Sequence, residues 1–147
     1  MMRLFTESAV LMAATAVAAY LTFYYHPKAP APCTVIEPPA KDEVTLAMIE
    51  ERWNGKVQWV DARPEEKYNE EHIPGAMLIN EYDFTNQLFM NFEKLQDLDV
   101  PLIIYCNAER CKASRKISEE LKARLPTLAE NIWVLKGGWP AWKKANP

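Results

Sequence analysis

The sequence predicts an α/β domain with a parallel sheet covered by helices on both faces, preceded by a single N-terminal transmembrane helix. Between residues 41 and 147, short apolar runs alternate with amphipathic stretches, and the run at 101–105 is continuously apolar. Residues 8–25 contain no charged side chain. A run of this length is about long enough to span the hydrocarbon core of a membrane as a helix. Alternating strands and helices favour a parallel sheet, in which ligands bind beyond the carboxyl ends of the strands.

Each element of the domain has its own local signal. Thr45 can cap a helix that ends at Asn54-Gly55. An apolar strand over 57–60 ends at Asp61, and Pro64 can open a short charged helix that reaches residue 68. Further strands are expected at 76–79, 101–105 and 132–135, helices at 114–125 and 139–144, and apolar residues at helical intervals across 81–95.

Composition excludes several classes of protein. The chain has 147 residues and a formal net charge of −3, whereas a nucleic-acid binder needs a concentrated basic face. Four glycines form neither of the Gly-rich phosphate-binding motifs, and three cysteines are too few for a disulfide scaffold in a chain of this length. The sequence therefore predicts no nucleic-acid partner and no cofactor.

The N-terminal part reads as two segments, a membrane anchor or signal over 1–26 and a proline-rich tether over 27–40, before a domain over 41–147. Ala16-Val17-Ala18 resembles a signal cleavage site, but the apolar stretch continues beyond it to Tyr25. Arg3 and the amino terminus favour a cytoplasmic start. We therefore expect a single-pass membrane protein with a periplasmic or extracytoplasmic domain, or a secreted protein if the segment is cleaved.

Cys106 is the candidate reactive residue. It follows the strongest predicted strand and precedes a helix, where loop amides and the helix dipole stabilise a thiolate. A buried cysteine that acts as a small apolar residue is the alternative. The polar residues that follow it, from Asn107 to Lys112, favour the reactive interpretation.

Four segments together resemble a rhodanese domain in that family's order and spacing. They are 57–63 (VQWVDAR), 71–76 (EHIPGA), 102–106 (LIIYC) and 134–142 (VLKGGWPAW), and the resemblance covers nearly all of residues 44–144. It implies a three-layer fold with a five-stranded parallel sheet. It also implies a sulfurtransferase in which a cysteine takes sulfur from a small donor, holds it as a persulfide and passes it to a nucleophilic acceptor, with protein thiols among the candidates.

The resemblance also assigns roles by position. Cys106 would carry the sulfur, and Asp61 and Arg63 would support the loops near the site without acting in catalysis. His72 is expected to satisfy loop backbone groups, because an ionised thiolate needs no general base. The backbone of one loop would form an anion cradle, and its residues are Asn107, Ala108, Glu109, Arg110, Cys111 and Lys112.

The loop departs from the common pattern. Rhodanese loops often have a glycine in mid-loop and an arginine five residues after the cysteine, where this chain has Glu109 and Cys111. The Glu109 carboxylate opposes anion binding and weakens the expectation that thiosulfate is the donor. Related phosphatases and arsenate reductases need arginine where Lys112 stands, so that activity is not predicted.

Cys111 leaves two alternatives open, since it can pack at the helix entrance or attack a persulfide on Cys106 to form a disulfide. No spacing in the chain suits a zinc site. Two functions therefore remain: a sulfurtransferase that uses a Cys106 persulfide, and a non-catalytic binding or thiol-relay module that uses the Cys106/Cys111 loop.

Overall fold

The computed structural model describes residues 12–21, 38–107 and 112–146. The chain divides into two units, 1–37 and 38–147, and the second contains the sheet. The strands are β1 (Glu43–Val44), β2 (Gln58–Asp61), β3 (Met77–Leu78), β4 (Leu102–Tyr105) and β5 (Ile132–Leu135). Residues 12–21 are helical (α1), and the other helices are α2 (Leu46–Trp53), α3 (Glu65–Glu70), α4 (Phe84–Met90), α5 (Phe92–Gln96), α6 (Lys112–Arg124) and α7 (Gly138–Ala145), with a 3-10 helix at Pro126–Asn131.

The five strands form one parallel sheet in the order β1-β5-β4-β2-β3, which confirms the sheet that the resemblance implies. Strand β4 lies at the centre and is buried along its whole length. Asp61 is in register with Tyr105, so β2 and β4 end at the same level. Asp61 at the end of β2 and Cys106 just after β4 consequently lie at the carboxyl edge of the sheet.

Side chains of β4 alternate between the two faces, as the pleat of a strand requires. Leu102, Ile104 and Cys106 belong to a core cluster on the face covered by α6. Ile103 and Tyr105 belong to a second cluster, on the face where residues of α2 and α7 pack. One strand thereby directs Cys106 towards α6 and Tyr105 towards the opposite layer.

Helix α2 has the boundaries that its sequence predicts. The Thr45 side chain accepts a hydrogen bond of 3.2 Å from the Met48 amide, which satisfies one of the free N–H groups of the first turn. Asn54 ends the helix in the left-handed conformation, with φ of 51°. Local capping chemistry was therefore sufficient to place this element.

Other boundaries differ from the prediction. Strand β1 was not predicted, and α6 begins at Lys112, two residues before the expected start. The helical stretch across 81–95 is divided at Asn91, whose side-chain amide donates 2.8 Å to the Gln87 carbonyl. The Asn91 backbone amide is shared between the Gln87 and Leu88 carbonyls, each at 3.2 Å, a pattern common at helix ends.

The N-terminal unit gives no support to the expected membrane anchor. Within the described part of the chain, no helix is long and apolar enough to span a bilayer. Residues 12–21 form exposed helix, while 8–11 and 22–25 of the predicted span lie outside the described residues.

Candidate active site

Cys106 directly follows the central strand, at the carboxyl edge of the sheet. Its carbonyl oxygen accepts a hydrogen bond of 2.7 Å from the Trp139 amide at the start of α7. Its side chain is only 2% exposed and packs with the core cluster beneath α6. The side chain is therefore enclosed, although mostly polar residues follow it in the sequence.

The sulfur of Cys106 is part of a disulfide bond in this structure. The other two cysteines of the chain, Cys33 and Cys111, lie outside the described residues. A disulfide sulfur is neither a nucleophile nor a carrier of sulfane sulfur until a thiol or another reductant opens the bond. Reduction of this bond must therefore precede any reaction of the Cys106 thiol.

Ser114 is a residue at this site that sequence analysis missed, as it also missed the role of Tyr105. Its Oγ lies 3.4 Å from Cys106 Sγ, and the Ser114 side chain is buried. It occupies the inward stripe of α6 together with Ile117, Ser118 and Leu121. The signal was available in the sequence, because a serine at a core-facing position of an amphipathic helix needs a polar partner.

The predicted anion cradle is described only at its two ends. Asn107 and Lys112 are exposed, and Lys112 is the first residue of α6. Ala108, Glu109, Arg110 and Cys111 lie outside the described residues. The cradle therefore stays a prediction.

Asp61 and Arg63 form a buried ion pair beside the site. Arg63 Nη2 lies 2.7 Å and Nε 3.0 Å from Asp61 Oδ2, and Arg63 Nη2 also donates 2.6 Å to the Glu71 carbonyl. Burial alone lowers the pKa of Arg63, but the bonds and charge of Asp61 outweigh it and raise that pKa. The pair ties the loop after β2 to the loop that contains His72.

Tyr105 completes this network from the central strand. Its hydroxyl donates 2.7 Å to Asp61 Oδ2 and accepts 3.1 Å from the Ile73 amide. Burial and the hydrogen bond to Asp61 raise the pKa of Tyr105 well above its usual range, so the phenol is neutral at ordinary pH. Tyr105 acts as a brace between two loops.

Trp139 connects this network to Cys106. The Arg63 guanidinium carbon lies 4.3 Å from the centroid of the Trp139 ring, a cation–π geometry. The amide of the same tryptophan donates to the Cys106 carbonyl. Gly137 permits this approach, because it precedes α7 with φ of 80°.

His72 has the structural contacts of a loop histidine. Its Nδ1 lies 2.9 Å from the Tyr68 carbonyl, and its ring stacks on that of Tyr68 at 3.9 Å between centroids. The contact to a carbonyl means that Nδ1 carries the proton. Both rings line a surface cavity of about 490 Å³ beside edge strand β3.

No metal-binding cluster of three or more His, Cys, Asp or Glu side chains occurs among residues 12–21, 38–107 and 112–146. The chemistry that this site offers is that of sulfur. Once reduced, Cys106 has a hydroxyl at hydrogen-bonding distance and sits where the central strand gives way to a helix.

Fold and site together define an α/β protein built around one cysteine at the end of a central parallel strand. The family model of the rhodanese-like domain matches residues 46–145. This chain belongs to the rhodanese-like domain family, as its four sequence segments indicate.

Individual relatives agree with this assignment. Thiosulfate sulfurtransferase GlpE of Haemophilus influenzae is 31% identical over 87 residues, which cover 59% of this chain and 73% of the relative. Thiosulfate sulfurtransferase GlpE of Shewanella oneidensis is 29% identical over 92 residues, covering 61% and 79%. The crystal structure of thiosulfate sulfurtransferase from Pseudomonas aeruginosa has a TM-score of 0.53 at 24% identity and covers 80% of this chain and 20% of that one, a likeness of fold alone.

Proposed function

We propose that this protein is a sulfurtransferase that carries sulfane sulfur as a persulfide on Cys106. The position of Cys106 carries the proposal: the residue emerges from the central strand at the edge where parallel sheets bind ligands, and Ser114 faces its sulfur. Membership of the rhodanese-like family and the sulfurtransferase names of its relatives support the same activity.

The reaction has two steps. The Cys106 thiolate attacks the outer sulfur of a donor such as thiosulfate, forms a persulfide and releases sulfite. A nucleophilic acceptor then attacks the outer sulfur, and the electron pair of the broken S–S bond returns to Cys106 Sγ. No proton is required, provided that the thiol is already ionised.

The first step requires a reduced cysteine, so the disulfide at Cys106 must be opened before turnover. We propose that oxidation pairs Cys106 with Cys111, since a bridge over five residues closes a much shorter loop than one to Cys33. A dithiol reductant would then restore the active thiol.

This disulfide also favours a second candidate function. In a thiol relay, Cys106 and Cys111 would exchange electrons with a partner's thiols and would not take up sulfur. The two functions differ in whether Cys106 gains a sulfur atom: it does so in sulfur transfer and does not in a thiol relay.

Mass spectrometry of the reduced full-length protein distinguishes them. Trypsin cleaves after Lys94 and Arg110, so peptide 95–110 carries Cys106 as its only cysteine. After treatment with thiosulfate, mercaptopyruvate or polysulfide, a sulfurtransferase shows one additional sulfur on this peptide. Cys106→Ser should abolish the gain and Cys33→Ser should leave it intact, whereas a wild type that takes up no sulfur from any donor supports the relay.

The cellular location is also a proposal. The uncharged run at 8–25 supports export or anchoring of the domain outside the cytoplasm. Fusions to a reporter that is active on only one side of the membrane test it: activity only on the cytoplasmic side would refute it.

A further inference from the structure

Ser114 contacts the sulfur on which the proposed reaction takes place. Both side chains are 2% exposed, and Ser114 Oγ lies 3.4 Å from Cys106 Sγ. A thiolate has no hydrogen, so at this distance the hydroxyl can only be the donor once Cys106 is reduced and ionised. The third position of α6 thereby provides the sulfur with a side-chain donor in addition to any backbone donors of the loop.

We propose that Ser114 is a catalytic hydrogen-bond donor that stabilises the Cys106 thiolate. The inference rests on the proposed function and names a further residue of the same site. A hydroxyl bonded to an ionised acceptor in a buried site contributes more than a neutral pair does. Ser114 should therefore favour the thiolate over the thiol before sulfur is taken up.

The same contact acts in the second step. When cyanide, a simple acceptor, attacks the outer sulfur of the persulfide, a C–S bond forms and the S–S bond to Cys106 breaks. The electron pair of that bond passes to Cys106 Sγ, which leaves as a thiolate while thiocyanate departs. Negative charge therefore accumulates on the atom that Ser114 faces, and the hydrogen bond strengthens in the transition state.

Helix α6 provides a matched control at Ser118. This residue lies one turn further along, is also 2% exposed, and its Oγ has no hydrogen-bond partner among the described residues. Ser114→Ala and Ser118→Ala remove the same atom from the same buried face. Alanine is the better helix former, so neither change should disrupt α6.

The first test measures alkylation of Cys106 by iodoacetamide against pH in the reduced full-length protein, read on tryptic peptide 95–110. We expect Ser114→Ala to move the midpoint to higher pH and to slow alkylation about tenfold on the acidic side of the midpoint. Ser118→Ala should retain the wild-type profile, and Ser114→Thr, which keeps the hydroxyl, should restore it. A wild-type profile for Ser114→Ala, or an equal shift in Ser118→Ala, overturns the proposal.

The second test measures the discharge of a preformed Cys106 persulfide by cyanide, read as thiocyanate. Ser114→Ala should slow this step about tenfold relative to Ser118→Ala, and equal rates would contradict the role in the second step. The alkylation test needs no sulfur uptake. A wild type that forms no persulfide would therefore refute the sulfurtransferase while the alkylation profiles still decide the role of Ser114.

Discussion

The amide of Trp139 donates a hydrogen bond of 2.7 Å to the carbonyl oxygen of Cys106. The first turn of α7 is thus attached to the residue that carries the candidate chemistry. The Trp139 ring in turn lies under the buried Arg63 guanidinium. The backbone at Cys106 is held through contacts that do not involve its sulfur.

Removal of Arg63 should destabilise the fold strongly. Arg63→Ala leaves the Asp61 carboxylate buried without its ion-pair partner, which typically costs about 3–5 kcal/mol. Urea unfolding measures the loss. Lys67→Ala removes an exposed ion pair with Glu70 and should change stability by less than about 1 kcal/mol. Similar losses in the two variants would contradict the role assigned to Arg63.

Alanine substitutions at two glycines with similar φ should distinguish the cost of backbone strain from the cost of a steric clash. Gly75 and Gly137 have φ of 79° and 80°, so alanine at either position should cost about 1–2 kcal/mol. A Cβ at Gly137 would lie 2.8 Å from the Ala141 Cβ, whereas a Cβ at Gly75 would meet nothing within 4 Å. In thermal unfolding, Gly137→Ala should therefore lose at least about 1 kcal/mol more than Gly75→Ala. Equal losses of stability in the two variants would show that the start of α7 can shift to accommodate the added Cβ without further cost.

The Glu43 carboxylate should make stability depend on pH. Burial raises its pKa, but bonds from the Ala40 amide and the Arg115 guanidinium outweigh burial and lower the pKa below 4.5. The unfolded chain therefore binds its proton more readily, and this contribution is complete above pH 4.5 and lost as pH falls through the lower folded pKa.

Glu43→Gln should accordingly cost about 1 kcal/mol at pH 7, and the difference from wild type should shrink in acid. Urea unfolding at a series of pH values checks this, with exposed Glu119→Gln on α6 as the control. A difference that grows as pH falls would have the wrong sign.

Oxidised protein should give one particular cross-linked peptide. If Cys106 pairs with Cys111, non-reducing tryptic digestion should join peptide 95–110 to the dipeptide 111–112. A link to peptide 29–41 would identify Cys33 as the partner. Free thiols, or only dimers through Cys33, would remove the proposed bridge. Cys111→Ser, with Cys33→Ser as its control, should abolish the cross-link.

Local signals in the sequence were enough to predict the bounds of elements that have clear capping residues or a continuous apolar run. Strand β5 has the predicted bounds, and α2 ends where the capping residues indicate. Strand β1 could not be found in this way, because it is two residues long and gains its strand character only by pairing with β5.

The site shows the same division. The position of Cys106 at the end of the central strand could be predicted, because a continuous apolar run before it indicates a buried strand. The contacts of Cys106 with Ser114 and Trp139 depend on how α6 and α7 pack on the sheet. Polarity of neighbouring residues describes the surface of a loop and gives no measure of how deeply one side chain points inward.

The central place of β4 has a consequence for how the reactivity of Cys106 is to be understood. With a partner strand on each side and helices over both faces, the amide hydrogens of Leu102–Tyr105 should exchange with solvent as slowly as any in the domain. The strand that precedes Cys106 would then exchange its amide hydrogens only through global unfolding of the domain. Differences between variants in the reaction rate of Cys106 would then reflect chemistry at the sulfur and would not reflect local opening of β4.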